Sequence, residues 1–400
     1  MSREMKHSGV DWLGDVPSHW KLLRARFMFK QSTTKGNERL VLLSATQDRG
    51  VVDKSTLDSV VQVAENADLS LFKTVHKNDF VISLRSFQGG FEISHEEGVI
   101  SPAYTVFRLC NQDYPHYYRY LFKSYGFIDK INSLTVGIRE GKNIQYVDFS
   151  NMFLPCLDID EQQKIASFLD EKCSEIDEMV VLQEKIIEEL KAYKQSVITE
   201  AVTKGLNPDV PMKDSGIEWI GEIPKSYNCS KLKYYIKIDS GDAISNELIS
   251  REGKYPVYGG GEIMGYHTVC NTSKDCLIIG RVGARCGCVT MPNIECWATD
   301  NALVLKTSLD LKYMYYLLTG LNLNRLNISN AQPLITATKV KNEHVPLPPL
   351  SEQQSIASYL DEKCTEIDNL ISIKQSKIES LKEYKKSIIY EYVTGKKEVI

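Results

Sequence analysis

The chain has no apolar run approaching the roughly 20 residues of a membrane span, and its opening MSREMKHSGV lacks the apolar core of a secretory signal. A cytoplasmic protein is expected. It lacks paired-cysteine frameworks too. Its ten cysteines fall at spacings that fit neither a disulfide-stapled scaffold nor a zinc site. Free thiols are expected, and Cys270, Cys276, Cys286, Cys288 and Cys296 read as small buried hydrophobes. Two motifs are absent: the GxxxxGK[ST] loop that cradles nucleotide phosphates, and the [DN]PP[FY] signature with which adenine methyltransferases hold a flipped base. The glycine-rich YGGGEIMG is out of register with GxGxxG and reads as a turn. Nor is there an excess of positive charge, since 48 Lys and Arg against 52 Asp and Glu leave a net charge of −4.

What is present is unevenly spread over 400 residues, enough for two or more domains with real cores. Residues 20–157 hold 17 Lys/Arg against 14 Asp/Glu, and residues 228–345 hold 13 against 10, so each stretch carries +3 and the rest of the chain −10. The acid lies on a repeated segment. EQQKIASFLDEKCSEID (Glu161 to Asp177) returns as EQQSIASYLDEKCTEID (Glu352 to Asp368), and from Glu161 to Thr203 the second copy matches at 25 of 43 positions. A second echo pairs SGVDWLGDVPSHW, from Ser8, with SGIEWIGEIPKSY, from Ser215. The order is tag, insert, helix, tag, insert, helix. Trp12 and Trp219, with Pro17 and Pro224, occupy the same places in both tags and are expected to anchor the chain hydrophobically on each domain.

Both repeated segments read as long helices. Asp160 and Ser351 stand as N-caps with Gln163 and Gln354 three residues on, a capping-box pattern after Pro155 or Pro348-Pro349, and Gly205 and Pro208 mark the first helix's end. Apolar residues at alternating three- and four-residue steps predict a coiled-coil seam of Ile176, Met179, Ile186, Leu190, Tyr193 and Val197 against Ile367, Ile371, Ile378, Leu381 and Ile388. Gln183 and Lys374 interrupt both stripes at the same place, either to set register or as plain solvated positions. Antiparallel pairing brings the two ends of the second insert together, where parallel pairing would separate them by the helix length. From Ile176 to Val202 such a rod runs roughly 39 Å, close to the 34–36 Å turn over which paired modules read one face of a duplex. Near the helix starts Ile165, Phe168 and Leu169, or Ile356, Tyr359 and Leu360, pack on their own domains or meet a partner.

Neither insert reads as a helical bundle. Short β-rich runs (RLVLLSA, FVISLR, AYTVFRL, CLIIGRVG, NALVLK) alternate with turns, and each insert holds one aromatic helical patch, YPHYYRYLFKSYG or LDLKYMYYLLTGL. The fold class is α/β, with α+β open.

The words LRSFQGG, GVISPAYTVFRL and GIREGKNI in the first insert, and YPVYGGGEIMGY, IIGRVGARCG and CWATDNALVLK in the second, each insert running into the repeated helix, resemble the target-recognition domains of specificity subunits in type I restriction-modification systems. The resemblance covers almost the whole chain. It implies a first recognition domain over 1–157, a conserved spacer helix over 158–206, a second recognition domain over 207–348 and a second spacer helix over 349–400, with approximate internal two-fold symmetry. It further implies a chain without a catalytic site that reads an asymmetric bipartite site on double-stranded DNA. The partners would be two adenine-N6 methyltransferase (modification) subunits and two restriction/translocase subunits. This chain itself would bind no cofactor, while S-adenosylmethionine, ATP and magnesium would sit on those partners. The alternative is a non-catalytic coiled-coil scaffold with two protein- or ligand-binding globules.

Base edges are read by Arg, Asn, Gln and small hydroxyl residues on loops held by a rigid scaffold. The candidates in the first insert are Arg85, Ser86 and Gln88, with Arg139, Lys142 and Asn143 as a phosphate clamp. Those in the second are Arg281, Arg285, Tyr258 and Gln332. Each has a plain alternative as a polar turn or solvated loop, and Asp300 and Asn301 read as turn or cap residues.

Overall fold

The two repeated segments are the two longest helices, Ile159–Lys204 and Leu350–Val393. The computed structural model describes residues 3–36, 40–47, 49–57, 69–83, 90–110, 114–134, 144–283, 285–327 and 334–399. By contact the chain divides inside these helices rather than at their ends: one unit comprises Met1–Leu182 with Lys377–Ile400, the other Gln183–Ser376.

In the first unit the tag folds as a hairpin, Met5–His7 against Asp15–Pro17. Strand Lys21–Arg24 then pairs antiparallel with Phe153–Cys156, so the beginning and end of the globule lie side by side. Between them runs an antiparallel four-stranded sheet in the order Phe29–Ser32, Thr105–Leu109, Phe80–Ile82, Phe91–Ile93. One face of this sheet meets helices Pro115–Lys123, Tyr125–Leu134 and Tyr146–Asn151 over a core rich in aromatics. Phe107 lies 5.0 Å from Phe149 in a tilted contact and 5.4 Å from Phe80 in a stacked one, each worth about 0.5–1.5 kcal/mol beyond its burial. Val81 and Val106 face the other way, into a smaller apolar cluster with Leu43, Val51, Val75 and Ile100.

The second unit repeats this plan with a different filling. Its tag hairpin is Met212–Asp214 against Glu222–Pro224, its closing pair Asn228–Lys231 against His344–Leu347, and its sheet Ile236–Ser240, Ala302–Thr307, Leu277–Gly280, Val289–Thr290. A further sheet joins Ile263–His267, Tyr255–Tyr258 and Trp297–Ala298, the last pair parallel. The aromatic patch is helix Leu311–Gly320, capped by Asp310, whose carboxylate accepts from the Tyr313 amide. The named strands otherwise pair antiparallel, so of the two fold classes left open α+β describes the inserts better. All ten cysteines are free. Among the described residues no helix is long and apolar enough to cross a membrane.

Each unit contains a stretch of both long helices, packed antiparallel. In the first, Phe168 stacks on Tyr392 at 4.4 Å and Lys385 Nζ meets Asp177 at 2.6 Å, so positions rising along one helix meet positions falling along the other. In the second, Lys194 Nζ meets Asp368 at 2.6 Å, while Ile198, Ala201 and Val202 share a core with Ile356, Ala357, Leu360 and Cys364. Asp368 is the repeat of Asp177 and Lys385 that of Lys194. The same ion pair therefore occurs within each unit, with the two helices exchanging roles.

The seam expected along the first helix needs correction. Met179 and Tyr193 are 46% and 59% exposed, and Ile186 is displaced by its buried neighbour Ile187. The stripe that turns inward is Ile176, Val180, Gln183, Ile187, Leu190 and Val197, in steps of four, three, four and three and then seven across the half-buried Lys194. Shifted by the repeat offset it becomes Ile367, Ile371, Lys374, Ile378, Leu381 and Ile388. Five of these are the positions predicted for the second helix. Gln183 therefore sits within the stripe, 6% exposed.

Candidate nucleic-acid interface

Each globule is tied to the start of its long helix by equivalent polar contacts. Gln162, fully buried, accepts from the Tyr114 amide at 2.8 Å and donates to the Leu157 carbonyl at 2.9 Å. Gln353 accepts from the Asp310 amide at 3.1 Å and donates to the Pro348 carbonyl at 2.9 Å. Two turns later Asp170 accepts from Tyr120 at 2.7 Å and pairs with Arg119, while Asp361 accepts from Tyr316 at 2.8 Å and pairs with Lys312. Burial, with the carboxylate bonds adding to it, pushes both phenols well above their ordinary range. At the tag end the Trp20 indole donates to Glu161 at 3.0 Å and the Tyr227 hydroxyl to Glu352 at 2.6 Å. Gly205 closes the first helix at φ +74°, and a side chain there would meet the Tyr227 hydroxyl at 2.6 Å.

These glutamines were missed in the sequence, where Gln163 and Gln354 were expected to form capping boxes. The helices begin one residue before Asp160 and Ser351, which puts both in the first turn, and Gln163 is exposed. The signal was available: EQQ occurs in both copies, and its second position is the buried one. Both tag tryptophans do anchor their units. Trp12 is buried 5.7 Å from Phe127, and Trp219 packs partly buried under Arg325, 5.8 Å from its ring. Ile165 and Leu169, like Ile356 and Leu360, are spent on the cores of their own units.

Of the residues expected to meet DNA, Arg85, Ser86, Gln88, Arg139, Lys142, Asn143 and Gln332 lie outside the described residues. The other three belong to one neighbourhood in the second unit. Arg281 follows strand Leu277–Gly280, its amide donating to the Asn301 carbonyl at 3.0 Å and its carbonyl accepting from Ile335 at 2.9 Å and from the Cys286 thiol at 3.2 Å. The backbone is thus held from three sides while the side chain is half-exposed. Its Nε is buried without a hydrogen bond among the described residues. Arg285, exposed, pairs with Glu262 of the YGGGEIMG turn, which joins strands Tyr255–Tyr258 and Ile263–His267. Gly280 and Gly260 let these two turns touch, since a Cβ on Gly280 would lie 2.3 Å from the Gly260 carbonyl. Tyr258 is 7% exposed and its ring packs with Cys276, Ile278, Cys296 and Ala298, so it serves the core rather than a displayed contact. Burial pushes the Cys276 and Cys296 thiols up to about 11 and about 12, which makes them packing groups and not nucleophiles.

The geometry defines a class first: a chain that writes one framework twice, tag, closing strand pair, antiparallel sheet and long helix, around two differently filled inserts. Residues 224–383 match the family model described as the type I restriction modification DNA specificity domain. The chain as a whole is similar to type I restriction enzyme specificity subunits. It is 27% identical to the MjaVIII specificity subunit of Methanocaldococcus jannaschii over 356 residues, 80% of each chain, and 29% identical to the EcoprrI specificity subunit of Escherichia coli over 148 residues, 36% of this chain and 37% of that one. In fold it resembles a chain from a structure of an assembled type I R-M system, with a TM-score of 0.73 at 15% identity over 94% of this chain and 98% of that one. The HsdS subunit from Thermoanaerobacter tengcongensis follows at 0.53 and 16%, over 95% and 98%.

Proposed function

We propose that this protein is the DNA-reading component of a type I restriction-modification complex, choosing an asymmetric two-part site for methylation or cleavage carried out by its partners. The observation that carries the reading is the exchanged ion pair, Asp177 with Lys385 and Lys194 with Asp368. An antiparallel helix pair built from repeats offers two equivalent surfaces, so two copies of one methyltransferase subunit can bind a single chain whose globules read different sequences. The long helices then act as the spacer between half-sites. The chain supplies recognition and no chemistry. S-adenosylmethionine, ATP and magnesium belong to the partner subunits, and the complex works in the cytoplasm. Arg281 and Arg285, on a turn braced by backbone bonds, are the described candidates for contact with the duplex.

The test is methylome sequencing of cells carrying the complete system beside cells lacking this chain. The expected result is one bipartite motif with a modified adenine in each half, present only when the chain is. Methylation of the same motif without the chain would refute the reading.

A further inference from the structure

The register that relates Ser8–Trp20 to Ser215–Tyr227 does not stop at the tags. Continued at the same spacing, it sets Arg24, Arg26, Phe27 and Lys30 beside Lys231, Lys233, Tyr234 and Lys237. The two stretches also fold alike. Each is the end of a closing strand (Lys21–Arg24; Asn228–Lys231), a single helical turn (Ala25–Met28; Leu232–Tyr234) and the start of the edge strand of the four-stranded sheet (Phe29–Ser32; Ile236–Ser240). The turn is pinned in both by a fully buried residue, Ala25 or Leu232. The aromatic that follows is left outside, Phe27 61% exposed and Tyr234 68% exposed. In each, the preceding cation lies against that ring, at 5.1 Å for Arg26 and 4.9 Å for Lys233.

The charges on these stretches are poorly neutralised. Across the sheet Lys30 stands directly opposite Arg108, and in the second unit Lys237 stands directly opposite Lys306. Like charges so placed destabilise a sheet, yet both units keep them. Arg108 is held by Asp79 at 2.8 Å and Lys237 by Asp239 at 3.6 Å. Among the described residues Arg26 donates only to the amide oxygen of Asn151 at 3.3 Å, and Arg24 lies over the Phe153 ring at 5.2 Å. Among the described residues no carboxylate pairs with Arg24, Arg26, Lys30, Lys231, Lys233 or Lys306. In a chain of net charge −4 these are two matching places of unspent positive charge.

We propose that this strip, three cations and an aromatic in each unit, grips the sugar-phosphate backbone of duplex DNA; the proposal rests on the DNA-reading function above and adds to it the residues that position rather than read. A feature repeated beneath two unlike inserts must meet something that is the same in both halves of the site, and the backbone is the same where the bases differ. A polyanion also supplies the charge the strip lacks. Arg26 and Lys233 are themselves exposed beside their rings, where a phosphate can reach them.

The test uses the full-length chain and a random-sequence duplex, with affinity followed by fluorescence anisotropy across a salt titration. Arg26→Gln with Lys30→Gln, or Lys233→Gln with Lys237→Gln, should each flatten the slope of log affinity against log salt by about 1.8, at about 0.9 per lost phosphate contact. Lys185→Gln with Lys382→Gln removes the same charge from exposed helix positions and should leave the slope unchanged. Strip variants that match this control overturn the proposal. So do strip variants that keep the wild-type slope but no longer co-purify with a modification subunit, since the strip would then face protein. A wild-type chain that binds duplex DNA without salt dependence overturns the DNA-reading function itself, and the strip with it.

Discussion

Replacing Gln162 by Leu should loosen the first globule from its long helix. The side chain is fully buried and uses both ends of its amide, accepting from Tyr114 at 2.8 Å and donating to Leu157 at 2.9 Å. Leucine keeps most of the volume but leaves a backbone N–H and a backbone carbonyl without partners in a place water does not reach. Each such group costs about 1–3 kcal/mol, so the variant should lose about 2–6 kcal/mol. For a unit near 200 residues each kcal/mol corresponds to about 2–4 °C, so calorimetry should show a fall of at least about 4 °C. The fall should be confined to the transition of the first unit, because Gln353 performs the same task in the second through Asp310 and Pro348. Hydrogen exchange provides the local readout, with loss of protection at the Tyr114 amide. Gln163→Leu, one residue along and exposed, is the comparison and should stay within about 0.5 kcal/mol. A loss below about 1 kcal/mol for Gln162→Leu, or an equal loss at Gln163, would refute the reasoning.

Three further outcomes are expected. Ile187→Ala should destabilise by about 2–4 kcal/mol in urea unfolding while Tyr193→Ala changes little, because the first side chain is buried and the second is not; the reverse order would restore the seam first predicted. Burial alone would raise the Glu161 carboxyl, but bonds from His19, Arg3 and Trp20 outweigh it and hold the group below the ordinary glutamate range. Its contribution is therefore complete above the unfolded value near 4.5 and is lost as pH falls through the folded value, so a Glu161→Gln variant should show a flatter decline of stability on acidification than wild type, and parallel curves would contradict this. Finally, inserting seven residues at equivalent points of both long helices preserves the four-three stripe and adds about 10.5 Å. The gap between methylated half-sites should widen by about three base pairs, with the half-site sequences unaltered. An unchanged gap would remove the spacer role.

How much of this protein its sequence determined by itself follows from the repeat. Two copies of EQQ…EID, two tags and the alternating strand-like runs are local patterns, and local patterns set the helices, the hairpins, the doubling of the framework and the turn at YGGGEIMG. The second helix's seam of Ile367, Ile371, Ile378, Leu381 and Ile388 was legible because Lys377 breaks the neighbouring stripe that Leu370 begins. The first helix is apolar on two adjacent stripes, with Met179 beside Val180 and Ile186 beside Ile187, and only packing decided which turned inward. Tertiary structure alone decided the rest: that Gln162 and Gln353 bridge distant backbone groups instead of capping their own helices, that Tyr258 belongs to a core, and that Lys30 meets Arg108 as Lys237 meets Lys306. Those are facts of register and burial between segments far apart in the chain. A pattern of neighbours cannot contain them, because they come into being when non-local surfaces are brought together and water is removed.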